Sequence, residues 1–249
     1  MLKVAITLVC VAGSICAQDR FDTAAVKLKD APKAALVIGY SPEGKFSVRN
    51  FPLIAIIAEA YQVSLSSGQL TGVPEWAKTE RYDIDAKAAV PKGLSRTLVR
   101  KMMLPMLRRL LQEKFELSIR VDKNERAVYA IRTNENGAKL TPALITENDC
   151  AKIVDPQLQE CHEFYGVQGG GSYGRAVSMA DLARSVASEA DRPVVDKSGI
   201  VGLFSIELPG EWSLPNMLKA MDKLGLRLVP DKAPVEAYIV EHVTRPRDN

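Results

Sequence analysis

The sequence contains few residues that carry chemistry. Its 249 residues include two histidines, four cysteines and only 6% aromatic residues. Two histidines exclude a His-rich metal centre and leave few candidates for His-based acid–base catalysis. The net charge of +3, from 33 basic and 30 acidic residues, is too small and too evenly spread to indicate nucleic-acid binding. With 47% hydrophobic residues, composition predicts a globular protein with no cofactor, no bound metal and no nucleic-acid partner.

The chain also lacks an apolar run long enough to cross a membrane, which takes about 20 residues. Residues 1–17 have the pattern of a Sec signal peptide, with Lys3 before a short apolar run and Ala17 at a small-residue cleavage site. A lipid anchor on Cys16 and an uncleaved signal are the alternatives. We expect a secreted or periplasmic protein, cleaved near Ala17, with no stable membrane span.

Only two cysteines, Cys150 and Cys161, remain once the signal is removed. An even pair in an exported protein favours a disulfide. The bond would close a loop of about a dozen residues and stabilise the fold by roughly 2–3 kcal/mol. Two free thiols are the alternative. A zinc site is disfavoured because Cys161 and His162 are adjacent and no second ligand pair has suitable spacing.

Two stretches of the sequence match without a gap at a separation of 109 residues. The separation aligns Leu117 with Leu226, Asp122 with Asp231, Lys123 with Lys232 and Tyr129 with Tyr238. Apolar residues alternate along each stretch, which predicts a strand, a turn at Asp-Lys and a second strand. A helical apolar pattern precedes each predicted hairpin.

Both halves therefore have the pattern β-α-β-α-β-β, and we expect an α+β fold. It would consist of two repeated units, each a small sheet with helices packed on one face. The first unit would span 18–132 and the second 176–249, with a Gly-rich linker holding the cysteine pair over 133–175. Each unit is similar to the short N-terminal domain of secretins and TonB-dependent receptors. An exposed edge strand in each could capture a partner by strand addition.

Several motifs resemble a known family. They are Arg81-Tyr-Asp-Ile-Asp-Ala-Lys87, Arg192-Pro-Val-Val-Asp-Lys-Ser-Gly199 with Gly202-Leu-Phe204, and the ending Val235-Glu-Ala-Tyr-Ile-Val-Glu-His-Val243. From residue 21 onwards the chain resembles a soil-associated, exported family of unknown function that is greatly multiplied in acidobacterial genomes. The resemblance implies no established activity. Related domains fused to sensor peptidases and to thioredoxin-like proteins imply a module that senses or binds. Arg120 stands where many members have His, which weakens an enzyme interpretation.

One constellation could carry hydrolysis. Gly170-Gly-Ser172-Tyr-Gly174 matches G-x-S-x-G, and Asp196 and His242 follow in the order of a hydrolase triad. A nucleophile elbow needs a strand before the serine and a helix directly after it, and here a glycine run precedes the motif. The overlapping pattern of Gly169, Gly171 and Gly174 lacks the context of a dinucleotide site. A flexible linker is the simpler interpretation.

The other polar and aromatic candidates have structural interpretations. The carboxylates of Glu80, Asp83 and Asp85 could act in acid–base catalysis or bind Ca²⁺. The alternation of polar and apolar residues here instead favours a strand whose polar side chains face solvent. We expect Asp196 to brace a turn before Ile200, and His242 to lie at the surface or a sheet edge. His162 has no evident partner in the sequence.

Trp76 and Trp212 lie in loop-like stretches and could cover a core or form a recognition surface. Trp76 is the one candidate binding residue, and no residue is assigned a catalytic role. The sequence thus favours a non-catalytic envelope or extracellular binding module, whose partner is an unknown envelope protein or wall component. A small secreted hydrolase and a cell-wall glycan binder using Trp76 are the alternatives.

Overall fold

A computed structural model describes residues 20–29, 35–151, 161–167 and 170–246. The predicted signal peptide, at residues 1–17, lies outside the described residues. The strands are β1 (Thr23–Lys29), β2 (Val37–Tyr40), β3 (Lys45–Pro52), β4 (Leu70–Thr71), β5 (Arg81–Lys87), β6 (Ser118–Thr133), β7 (Thr141–Pro142), β8 (Tyr165–Gly166), β9 (Ser172–Val177), β10 (Val194–Asp196), β11 (Phe204–Leu208) and β12 (Leu226–His242). The helices are α1 (Leu53–Tyr61), α2 (Glu75–Thr79), α3 (Arg96–Phe115), α4 (Glu147–Ala151), α5 (Met179–Ala187) and α6 (Leu214–Lys223), with a 3₁₀ turn at Leu65–Ser67.

The described strands form three four-stranded sheets, so the predicted mixture of helices and strands is confirmed. Their orders are β1-β5-β3-β2, β10-β6-β12-β4 and β7-β11-β9-β8. The first sheet uses strands from the N-terminal part of the chain and the third uses strands from the C-terminal part. The central sheet takes two strands from each part, because β6 and β12 pair with each other along their whole length.

The predicted hairpin turns at Asp122-Lys123 and Asp231-Lys232 are wrong. Both dipeptides lie inside long strands, of 16 residues in β6 and 17 in β12. A two-residue hairpin turn needs residues with positive φ, and none of the residues with positive φ lies in either strand. Each strand continues straight through because the other strand, running antiparallel, satisfies its backbone groups. At the middle of this ladder Glu125 faces Pro234.

The long strands carry side chains from each half into the core of the other. Val240, from the end of β12, packs in the first core with residues such as Phe46 and Leu107. Ile131, from the end of β6, is fully buried in the second core with Leu182 and Met221. The two halves therefore interlock, since each core is incomplete without a strand segment from the other half.

Residues 133–175 were expected to be a linker, and the structure differs there. They contain β7, α4 and β8, and β9 begins before the expected boundary at 175. Gly171 explains part of the glycine run, since its φ is 95° and an added Cβ would lie 2.9 Å from the carbonyl oxygen of Leu208. The run thus serves a close approach to β11.

Capping residues fix the starts of helices α3 and α5, which carry several polar side chains of the candidate site. The hydroxyl of Ser95 accepts a hydrogen bond from the Leu98 N–H at 3.1 Å and caps α3. Ser178 and Asp181 form a reciprocal capping box at the start of α5. Within the part of the chain that the structure describes, no helix combines the length and apolar character needed to span a bilayer.

Candidate functional site

A cleft of about 850 Å³ lies between helices α1 and α5 and is open to solvent. Small side chains line its walls, among them Ala58 on α1 and Ala180 and Ala183 on α5. Val195 of β10 and Val235 of β12 line it from the central sheet. Because alanine fills so little space, facing helices with alanine at these positions leave a mostly apolar opening between them.

Residues of the 3₁₀ turn and of the end of α5 border the large cleft. The Ser66 hydroxyl lies within 3.5 Å of the carbonyl oxygens of Ala187 and Ser188, and so links the 3₁₀ turn to the end of α5. Leu65, also at the rim, is 50% exposed. Trp212 donates its indole N–H to the Ser188 hydroxyl at 3.3 Å and is itself 42% exposed. The large cleft is therefore bordered by an exposed leucine and, beside Ser188, by an exposed tryptophan.

A second cleft, of about 410 Å³, adjoins the first and is lined mainly by polar and charged residue types, although most of its lining surface is apolar. Gln62, Arg100 and Arg184 line both clefts, so the two adjoin at these side chains. Lys101 and the Cys150–Cys161 disulfide line the smaller cleft only. The combined cavity thus has an apolar part and a charged end.

The predicted disulfide between Cys150 and Cys161 is formed. The carbonyl oxygen of Cys161 accepts a hydrogen bond from the Thr97 hydroxyl at 3.1 Å, near the start of α3. Cys161 also forms an isolated bridge with Ala176 in β9. The bond and these contacts hold the segment around Cys161 against both halves at the charged end of the cavity.

His162 lies at the centre of a polar cluster that the sequence did not reveal. Its Nδ1 lies 2.8 Å from a carboxylate oxygen of Asp181, and its Nε2 lies 3.0 Å from one of Glu147. Asp181 is 4% exposed and also accepts hydrogen bonds from the backbone N–H and hydroxyl of Ser178. We call Glu147, His162 and Asp181 the histidine clasp, since they join α4, the disulfide segment and α5.

The clasp favours the charged form of His162. The hydrogen bond to Asp181 raises the pKa of His162, and Glu147 raises it further. Together these two carboxylates outweigh the effect of burial, which lowers the pKa. Burial tends to raise the pKa of Asp181, but hydrogen bonds from His162 and Ser178 lower it overall. In its charged form the imidazole donates from both nitrogens, one to each carboxylate. The cluster thus acts as an electrostatic cross-link between α4, the disulfide segment and α5.

The same geometry argues against a metal ion at the clasp. The two carboxylates bind opposite nitrogens of one ring and cannot converge on a single ion with it. Among the described residues, no group of three His, Cys, Asp or Glu side chains is arranged to hold a metal.

A second ion pair lies where the clefts meet. Arg100 binds Glu59 through two parallel hydrogen bonds, Nε to Oε1 at 2.8 Å and Nη2 to Oε2 at 3.0 Å. The Tyr40 hydroxyl also donates a hydrogen bond to Glu59 at 2.9 Å. Burial is the main cause that raises the pKa of Tyr40, and the negative charge of Glu59 is the second. Glu59 is thus neutralised by Arg100 and leaves no free negative charge at the junction.

The structure does not bring the proposed triad together. Ser172 is buried in β9, opposite Leu208 of β11, and its hydroxyl has no hydrogen-bond partner among the described residues. Asp196 accepts hydrogen bonds from the N–H and hydroxyl of Ser198, which confirms that it braces this turn. His242 lies at the end of β12, and its Nε2 is 3.6 Å from Glu116. No hydrogen bond or ion pair within the described ranges connects the three side chains.

The acidic residues near β5 have separate partners. Arg245 binds Glu80 and, with a contribution from Tyr82, lowers the pKa of that carboxyl. Asp83 accepts a hydrogen bond from the backbone N–H of Asn50 at 2.8 Å. Asp85, the third, pairs with Arg49 at 2.6 Å. These carboxylates are therefore tied to different neighbours, and they do not form an acid–base pair. Gly169, the first glycine of the G-x-G-x-x-G pattern, lies outside the described residues.

Trp76 lies on α2 and packs against the first core. The guanidinium of Arg245 lies 4.8 Å from the centre of its ring, in a cation–π arrangement. One face of the ring is thus already occupied, which favours the core-covering interpretation over a recognition role. Trp212 has the more accessible ring of the two and lies near the large cleft.

The histidine clasp is the part of the site that sequence reasoning missed. One local signal was present, since Ser178-x-x-Asp181 followed by an apolar helical pattern is a capping-box signature. That signal would have placed a carboxylate at the start of α5. The approach of His162 and Glu147 to it is tertiary and leaves no trace in spacing.

The comparisons with known proteins identify a family without an assigned activity. A family model described as protein of unknown function, DUF3738, matches residues 54–243. The comparisons with curated proteins and with solved structures found no match. The family match covers most of the chain, including both walls of the large cleft and the clasp. This chain is therefore a member of the DUF3738 family.

Proposed function

We propose that this protein is an exported, non-catalytic binding module whose ligand site is the large cleft between α1 and α5. The observation that carries the proposal is the cleft itself. Its volume of about 850 Å³ falls in the range of small-molecule sites, about 300–1,000 Å³. Most of its lining surface is apolar, and polar side chains such as Gln62, Arg100 and Arg184 also line it, which is the composition that such sites have.

The environments of the reactive side chains support binding over catalysis. Ser172 lies buried in a strand, away from any imidazole to activate it. Both nitrogens of His162 are occupied by carboxylates. Glu59, the carboxylate that lines the large cleft beside Arg100, is held in a bidentate ion pair. A hydrolase that used one of these groups would need it to be free to exchange protons with a substrate.

Export is supported by two features of the sequence and the fold. The signal-peptide pattern over residues 1–17 directs a chain to the envelope or beyond. The Cys150–Cys161 disulfide suits an oxidising compartment such as the periplasm. The soil association and acidobacterial distribution rest on the motif resemblance alone.

The two halves are, we infer, copies of one ancestral unit. Adding six to each strand number of the first sheet gives the strand order of the third sheet. In the central sheet the same operation makes β10 the equivalent of β4, and β12 the equivalent of β6. The sequence offset of 109 relates Glu125 to Pro234, which face each other at the centre of the ladder. The cleft would then lie between equivalent helices, α1 and α5. The likeness of each unit to the short domain of secretins and TonB-dependent receptors stays a prediction.

The test is to fill the cleft and measure binding of an uncharged apolar fluorophore, Nile red. Ala180 lies exposed on α5 in the wall of the cleft, so Ala180→Phe should narrow the site without burying a new side chain in the core. We expect wild type to bind the dye, and Ala180→Phe to lose most of that binding.

Ala127→Phe is the matched control, since Ala127 is also exposed and is not among the residues lining the cleft. It should bind Nile red as wild type does. Equal binding by all three proteins would contradict the assignment of the cleft. Covalent labelling of Ser172 by a serine-reactive phosphonate would instead support the hydrolase alternative and overturn the non-catalytic role.

A further inference from the structure

We propose that the ligand is a free amphiphile with a long apolar chain and a single negative charge, of the alkyl carboxylate class. This inference rests on the proposed function and specifies the ligand of the same site. The apolar chain would lie in the large cleft, and the carboxylate would lie where the two clefts meet, near Arg184 and Lys101.

The two clefts share part of their lining. Gln62, Arg100 and Arg184 line both, so an elongated molecule in the large cleft can place one end beside these side chains. An elongated molecule that is apolar along its length and polar at one end matches this arrangement. A purely polar ligand would leave the alanine and valine lining of the large cleft unused.

The charges at the polar end give the sign and size of the head group. Arg100 is neutralised by Glu59, as their two parallel hydrogen bonds show. In the clasp, two carboxylates flank one histidine that is favoured in its charged form, which leaves one net negative charge. Arg184 pairs with Asp181 at 3.2 Å, and Lys101 is exposed with no ion-pair partner among the described residues.

Among the charged side chains that line the smaller cleft, Arg184 and Lys101 together therefore carry one positive charge more than the clasp balances. A monoanion neutralises it. A cation would add to the excess, and a dianion would exceed it. Hydrogen-bond donors are also present, since the Gln62 amide and the guanidinium of Arg184 both line the junction and a carboxylate accepts from both.

The experiment compares three probes by isothermal titration calorimetry, all below the concentration at which any of them forms micelles. The probes are dodecanoate, dodecanol and acetate, which carry the chain with the charge, the chain alone and the charge alone. We expect dodecanoate to bind about two- to fivefold more tightly than dodecanol, the size of effect that one partly exposed charge produces. Acetate should show no measurable binding.

Two lysine variants locate the head group. Lys101→Gln removes the excess positive charge at the polar end, so dodecanoate and dodecanol should then bind equally, with the affinity for dodecanol unchanged. Lys219→Gln makes the same change at an exposed lysine on α6 that lines neither cleft, and should keep the wild-type preference.

The outcomes separate this inference from the proposed function. Equal binding of dodecanoate and dodecanol, lost for both in Ala180→Phe, would overturn the carboxylate preference and leave the cleft assignment standing. A preference for dodecanoate that survives Lys101→Gln would overturn the placement of the head group. Failure of both chain-bearing probes to bind wild type would overturn the amphiphile, and the Nile red titration then decides the cleft separately.

Discussion

The N-terminal and C-terminal parts of the molecule are built to different sizes. The first sheet has strands of four to eight residues and the 20-residue helix α3 beside it. The third sheet has strands of two to six residues, and α6 has 10 residues. The first core buries Phe46, Tyr82 and Phe115, whereas the buried members of the second are aliphatic residues and methionines.

The difference indicates how a smaller unit can be kept folded. A small core buries less apolar surface and contributes less stability, so other constraints matter more. Both the disulfide and the histidine clasp lie in the C-terminal part, at its border with the start of α3. The long strands add a third constraint by completing the second core with Ile131 from the first half.

The largest effect is expected where the halves interlock. Ile131→Ala removes a fully buried side chain from the second core and should lower the free energy of unfolding by about 2–4 kcal/mol. Urea denaturation measures the loss. Val121→Ala, on the same strand at a residue that is 48% exposed, should change stability far less. Equal losses in the two variants would mean that Ile131 does not complete the second core.

Removal of the disulfide should have the next largest effect. The Cys150→Ser, Cys161→Ser double variant should be less stable than wild type by roughly 2–3 kcal/mol, because the loop of 11 residues is no longer constrained in the unfolded chain. Dithiothreitol should lower the stability of wild type by the same amount and leave the double variant unchanged. No change on reduction of wild type would show that the bond does not support the smaller half.

The histidine clasp should give a pH-dependent effect. Because the pKa of His162 is raised in the folded protein, its stabilisation is complete below about pH 6.5, the ordinary value, and is lost as pH rises through the raised value. His162→Gln should therefore cost about 1–2 kcal/mol at about pH 5.5 and less at about pH 8.5, as measured by urea denaturation at each pH.

His242→Gln provides the control for that comparison. His242 is the other histidine of the chain, and its side chain is 59% exposed. Because the side chain is largely exposed, its replacement should change stability at about pH 5.5 by less than the replacement of His162 does. A His162→Gln cost that grows with pH would contradict the charged clasp.

The smallest effect is expected at Trp76, in the larger half. Arg245→Ala removes the guanidinium from the indole face and should shift Trp76 emission to longer wavelength as water reaches the ring. Fluorescence in a Trp212→Phe background isolates the signal. Arg227→Ala, at an exposed position on β12, should leave the emission unchanged. An unchanged spectrum in Arg245→Ala would show that the ring is not covered by Arg245.

Features that depend on composition or on neighbouring residues were easier to predict from the sequence than the pairing of distant strands. The disulfide was predictable because only two cysteines remain beyond the signal, and the Asp196 turn because its partner Ser198 is two residues away. The match between residues 117–131 and 226–240 can be seen in the sequence, but the sequence does not show that the two stretches pair with each other. Alternation predicts a strand equally well whether its partner is the next segment or one about a hundred residues away. The pattern therefore predicts two hairpins where the structure has two long strands paired with each other.

The site was harder to predict than the fold. Glu147 and Asp181 lie 15 and 19 residues from His162, at spacings that no helix or strand rule relates. The cleft depends on alanines that face each other across two helices, and alanine is common in any helix. Only the packing of α1 against one side and α5 against the other makes those residues the lining of a cavity.

Hydrogen–deuterium exchange with and without saturating Nile red tests the central claim, that ligands bind between α1 and α5, most directly. The account predicts slower exchange in peptides covering Leu53–Tyr61, Met179–Ala187 and the adjoining β10, with β1 and β11, which contribute no residue to the cleft lining, unchanged. Protection confined to β1 or β11, or no protection anywhere despite bound dye, would contradict it.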